Sequence, residues 1–135
     1  MEHKQLLTVF NSLPVGIGFF TADGTLVRCN ESFCRIFGAD SQTLLGNKLN
    51  INENSVVPDV VKEAVRRCVP VQMSFLYDFD KQRTDKRFFS TRTRTCYLKC
   101  NGNPLYDNDG KFVNYIFIFE DITETVKSEE VLRQS

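Results

Sequence analysis

The chain has 135 residues, with seventeen Lys plus Arg against seventeen Asp plus Glu, a formal net charge of zero and 41% apolar residues. That is one domain, long enough to bury a core, and its neutrality removes the basic footprint that nucleic acid or an anionic membrane surface would need. With His3 as its only histidine and no GxGxxG or GxxxxGKS/T run, the chain lacks the parts of a Ser-His-Asp triad, a Cys-His dyad, a His-rich zinc site or a nucleotide-hydrolysing loop.

Leu6, Val9, Phe10 and Leu13 recur at helical spacing until Pro14, which predicts a short lead helix. Residues 15–21 and 25–29 read as strands, and Ala22-Asp23-Gly24 supplies the tight turn of a hairpin. Asn30 is the expected N-cap of a helix that carries Phe33, Ile36 and Phe37 and ends at Gly38, and residues 41–45 form another helical turn closed by Gly46. After Pro58, Val61, Ala64, Val65 and Cys68 make an apolar stripe at i, i+3, i+4 and i+7, the mark of an amphipathic helix over 59–68.

From Pro70 the period changes to two, with Val71, Met73, Phe75, Tyr77 and Phe79 on one face of a strand. A polar turn is expected over 80–86 and a long strand over 87–101. A second hairpin turn follows at 106–110, then a last strand over 112–120, apolar on both faces and so expected at the sheet centre with cover on each side. Asp121-Ile122-Thr123-Glu124 matches a capping box that opens a C-terminal helix bearing Ile122, Val126 and Leu132.

No apolar run approaches the length of a membrane span, and the charged start does not suit a signal peptide, so direct membrane insertion is not expected and the segment is placed in the cytoplasm. The five cysteines are read there as reduced thiols, small apolar core residues rather than a disulfide framework. Cys96 and Cys100 on one strand lie about 13 Å apart, too far to share a metal with bonds of about 2.3 Å. Cys29 and Cys34 straddle a strand-to-helix corner and can approach each other, but two thiols alone make no metal site.

The order of elements is an α+β layout with a single five-stranded antiparallel sheet. VGIGFFTADGTLVRCNESFCRIFGADSQTLLGNKL resembles the first half of a PAS domain, and NPLYDNDGKFVNYIFIFEDITE resembles its second half, closing on the Asp121-Ile122-Thr123 triplet. The likeness covers roughly residues 13–126. It implies a sheet with short helices on one face, flanked by helices at both ends: residues 1–12 as an N-terminal flanking helix, 13–121 as the PAS domain and 122–135 as the start of a signalling helix.

The resemblance also bears on cofactors. Haem-binding members carry a histidine on the long middle helix, and residues 59–68 have none. Light-sensing flavin members carry an Asn-Cys-Arg-Phe-Leu-Gln signature that is missing here, and Phe119 stands where they place a flavin-bonding Gln. No cofactor is therefore expected, with haem and flavin disfavoured and an unknown small apolar ligand left open.

If the strand phase follows the family, Tyr115, Phe117 and Phe119 face a central cavity with Leu98 and Cys100, opposite Phe33, Phe37, Val61, Val65, Met73 and Phe75. These residues form either a small apolar ligand pocket or a core filled by its own side chains, and large groups on every wall favour the filled core. Residues 81–99 hold seven basic residues and one acid, Asp85. By strand parity Arg92 and Arg94 share a face with Cys96 and Leu98, and Arg94 is the candidate to turn inward onto a carboxylate or phosphate.

The resemblance assigns signal relay to Asp121, Ile122 and Thr123, with Asp121 capping the exit helix. The expected function is a sensory or regulatory PAS module, above all of a bacterial two-component sensor histidine kinase, non-catalytic itself and followed by an effector domain in the same chain. The alternative is a ligand-free dimerisation or protein-interaction module of a cyclic-nucleotide enzyme or transcription regulator. The apolar stripes outside the body, with Ile116 and Ile118 on the outer sheet face, point to a homodimer through flanking helices and sheet, and nucleic acid is not an expected partner.

Overall fold

The computed structural model describes residues 2–82 and 90–134. The first helix, α1 (His3–Ser12), stops before Pro14, which has no N–H to continue it. Strands β1 (Gly16–Phe20) and β2 (Leu26–Cys29) form a hairpin whose turn uses Gly24 at φ +90°, a conformation that a Cβ opposes. Asn30 accepts from the Phe33 N–H and caps α2 (Glu31–Phe37), and Gly38 ends that helix in the left-handed region. Asp40 caps α3 (Ser41–Gly46) in the same way.

A 3₁₀ turn at Ile51–Glu53 leads to α4 (Asp59–Arg67), whose Val61, Ala64 and Val65 are buried as their spacing predicts. Then come β3 (Val71–Asp78), the short α5 (Phe79–Gln82), β4 (Thr95–Tyr106), β5 (Phe112–Asp121) and α6 (Thr123–Gln134). The sheet runs β2-β1-β5-β4-β3, with every neighbouring pair antiparallel. One face packs on α2 and α4 to make the core, and Gly102 lets the aromatic rings in: a Cβ there would stand 2.6 Å from a ring carbon of Phe117.

Three expectations change. The long strand begins at Thr95 and runs on to Tyr106, not over 87–101, because residues 90–94 turn towards α2 and Arg94 takes φ +66°. Phe79, expected on the strand, and residues 80–82 of the expected polar turn are helical, and 83–89 lie outside the described residues. The central strand β5 buries Tyr115, Phe117 and Phe119 on its inner face, but Ile116 and Ile118 on the outer face are only half-buried. The reason is that α1 lies over β1 and β2, with Phe10 against Phe19 and Arg28, and leaves β5 partly uncovered.

The exit helix differs as well. Asp121 still pairs with Leu98 in the sheet, so α6 begins one residue later than expected, at Thr123, and Ile122, whose carbonyl accepts from Val126 N–H at 3.0 Å, takes the cap position. Among the described residues no helix is long and apolar enough to cross a membrane.

Candidate functional site: the aromatic core and its exit

Alternation along β5 sends Tyr115, Phe117 and Phe119 to the inner face, where Phe119 meets Phe33 and Phe37 of α2 and Phe117 meets Phe20 of β1. Phe37 stands 4.6 Å from Phe33 between ring centroids, 5.2 Å from Phe119 and 5.5 Å from Tyr77, all in the range of favourable aromatic pairs. Between these rings remains a cavity of about 20 Å³, room for about one water molecule.

Of the residues singled out from sequence, Phe33, Phe37, Val61, Phe75 and Phe119 line this cavity. Val65, Leu98, Cys100 and Phe117 are buried in the same core without lining it, and Met73 packs half-buried at its edge on strand β3. Sequence reasoning did not place Phe20, Leu49, Ile51, Asn54, Val57 and Tyr77 on the wall. Tyr77 shared its strand face with Met73 and Phe75, which is a signal that could have found it. Leu49 and Ile51 were apolar residues in an otherwise polar loop. Asn54 gave no such signal, and it donates to the Tyr77 hydroxyl at 2.7 Å as a polar point in an apolar wall.

The buried groups are held neutral. Burial pushes the thiols of Cys96 and Cys100 up to about 11 and the Tyr115 phenol up to about 12. The Tyr115 hydroxyl donates to the Val69 carbonyl at 2.5 Å, which ties β5 to the connection between α4 and β3. Among the described residues no cluster of three or more His, Cys, Asp or Glu could hold a metal ion.

Arg94 is exposed and turned out of the core, because its left-handed backbone breaks the parity that pointed it inward. Arg92 turns in instead. Its guanidinium lies 4.7 Å from the Phe79 ring centroid, donates to the Ile36 carbonyl at 2.8 Å and reaches Asp121 Oδ2 at 3.4 Å. The neighbouring Thr91 N–H donates to the Gly38 carbonyl at 2.7 Å, so residues 91 and 92 both fasten to the C-terminal end of α2.

Asp121 is the other half of this junction. Its Oδ1 accepts from the N–H and the hydroxyl of Thr123, the first residue of α6. Thr123 Oγ1 in turn accepts from the Tyr97 N–H at 3.0 Å, and the Tyr97 carbonyl accepts from Ile122 N–H at 2.9 Å. The carboxylate thus sits between the arginine that holds α2 and the first turn of the exit helix, two residues beyond the core ring of Phe119.

A family model described as PAS fold matches residues 10–127. Among solved structures, the chain is similar to an RNA-binding light-oxygen-voltage receptor, with TM-score 0.72 and 18% identity over 97% of this chain and 36% of the other. It is similar also to the PAS domain of a Colwellia psychrerythraea protein, with TM-score 0.66 and 16% identity over 90% of this chain and 97% of that one. A domain of the sensory box sensor histidine kinase/response regulator from Geobacter sulfurreducens gives TM-score 0.59 and 15% identity, covering 87% and 92%. The chain spans about a third of the length of the light-oxygen-voltage receptor chain. No curated protein matches the sequence.

Proposed function

The chain belongs to the PAS fold family, and from that premise we propose that it is the sensory module of a two-component sensor histidine kinase, relaying a change in its core through α6 to an effector in the same chain. The observation that carries this reading is the Arg92–Asp121–Thr123 junction. It makes one set of polar contacts common to α2, β4, β5 and the start of α6. A displacement of α2 or of the Phe119 ring then changes the geometry at Asp121, and with it the angle at which α6 leaves the sheet. The similar kinase domain from Geobacter sulfurreducens supports the effector class.

The cavity of about 20 Å³ favours an input other than a bulky ligand. In the second reading, which rests on that volume, the domain carries no ligand and transmits partner binding or a change in subunit pairing. Pairing of two copies is part of both readings, and it is supported by exposed Leu6 and Val9 on α1 and Val131 and Leu132 on α6. Sedimentation of the purified chain should give twice the mass of one chain, and Leu6→Glu with Val9→Glu should return it to a single chain.

Asp121→Ala in the full-length protein is expected to leave the domain folded and abolish the change in autophosphorylation that follows the stimulus. Normal stimulus response in that variant removes the relay, and an effector without kinase activity removes the finer assignment while leaving the relay intact.

A further inference from the structure

At the edge of the aromatic core two thiols are in contact. Cys29, the last residue of β2, and Cys34, on α2, hold their Sγ atoms 3.9 Å apart, and both are half-buried at the edge of the core. The corner between them is held by Asn30. Its Oδ1 accepts from Ile17 N–H at 2.8 Å and Phe33 N–H at 3.0 Å, while its Nδ2 donates to the Phe10 and Val15 carbonyls. The fold therefore keeps the end of β2 and the start of α2 in one fixed relation. A disulfide spans about 2.05 Å between sulfurs, so the pair must close by about 1.9 Å, within the swing of χ1 at two cysteine side chains.

We propose that Cys29 and Cys34 form a reversible dithiol/disulfide couple, oxidised by a small disulfide of the glutathione class. One cysteine thiolate attacks a sulfur of the small disulfide and expels the first small thiolate. The second cysteine then attacks the sulfur of that mixed disulfide, closes the Cys29–Cys34 bond and expels the second. Two electrons and two protons pass from the protein pair to the small disulfide, which leaves as two thiols.

Burial, and then the neighbouring sulfur, push Cys29 up to about 12, and burial raises Cys34 as well. The reduced pair thus gains no stabilisation as thiolate, which favours the disulfide at equilibrium and makes exchange slow near neutral pH and faster in alkali.

Trypsin cuts after Arg28 and Arg35, so both sulfurs fall in the single peptide of residues 29–35, away from the other three cysteines. The folded protein is equilibrated at pH 8 in glutathione buffers of graded ratio, quenched with acid, unfolded, alkylated, digested and weighed, with the urea-unfolded chain run in parallel. With rising glutathione disulfide the peptide should pass from doubly alkylated to an unalkylated ring about 2 Da lighter than its free dithiol, and dithiothreitol should restore it. Cys34→Ser should instead trap Cys29 as its glutathione adduct. A peptide that stays doubly alkylated at every ratio, that halts at the mixed disulfide in the unsubstituted protein, or that closes no more readily than in the unfolded chain overturns the proposal.

Discussion

Asn30 uses its whole side-chain hydrogen-bonding capacity at one corner: two accepted bonds, from Ile17 and Phe33, and two donated, to Phe10 and Val15. It is 1% exposed, so replacing it strands buried backbone groups with no water to take its place. Asn30→Ala is expected to cost about 3 kcal/mol, the sum of a lost cap and unmet buried partners, measured by urea unfolding. Asn30→Asp should be destabilising too, because it keeps the acceptor and sets carboxylate oxygen against two carbonyls. A loss below about 0.5 kcal/mol for Ala would show that the corner is held by packing alone. The N-cap role of Asn30 was legible in the sequence from its place before Phe33. Its bonds to Phe10, Val15 and Ile17 were not, since they join residues up to 20 positions away and require the lead helix and hairpin to be docked first.

At the scale of the element, the entry of α6 shows how a strand and a helix share a residue. Asp121 remains in the ladder opposite Leu98 and still reaches forward to Thr123, so strand β5 passes straight into the helix. Arg92 and Asp121 are both partly exposed, and a pair of that kind contributes no more than about 1 kcal/mol to stability. Arg92→Ala should therefore leave the fold in place, costing about 1–2 kcal/mol with the loss of its bond to Ile36 and its contact with Phe79. Its larger effect should be local: hydrogen exchange in the first turn of α6 and at the C-terminal end of α2 should speed up together. Faster exchange at only one of the two would show that Arg92 does not join them. The short motif at Asp121–Thr123 was legible because it repeats a familiar triplet. The arginine that answers it, Arg92, was not legible, and the parity count that turned Arg94 inward towards a ligand holds only where the chain is already a strand.

The whole molecule carries a dependence on alkaline pH that follows from its buried thiols and phenol. Burial raises Cys96 and Cys100 from 9.0 to about 11, and Tyr115 from 10.0 to about 12. Below pH 9 these groups are protonated folded and unfolded alike, so their contribution is fully present. As pH rises from 9 towards 11 and 12 the unfolded chain releases its protons first, and stability falls by up to about 1.4 kcal/mol per pH unit for each group. Urea unfolding at pH 8, 9.5 and 10.5 should show that decline, and Cys100→Ala should make it shallower. A flat profile would mean that solvent reaches these groups in the folded protein.

At this same scale the division between sequence and structure becomes clear. Alternation at Met73 to Tyr77 and at Tyr115 to Phe119, helical spacing at Val61 to Val65, the cap at Asn30 and the turns at Gly24 and Gly110 were enough to place the chain as an α+β layout with one five-stranded antiparallel sheet, and the resemblance carried that layout to the PAS fold. Each is a local rule, set by backbone geometry over a few residues. The volume left among the rings, the choice of Arg92 over Arg94, the contact of Cys29 with Cys34 and the partly bare outer face of β5 were decided only in the tertiary structure. They depend on how side chains from distant elements fill a common space, and on where residues 90–94 leave the strand to meet α2, which no local period encodes.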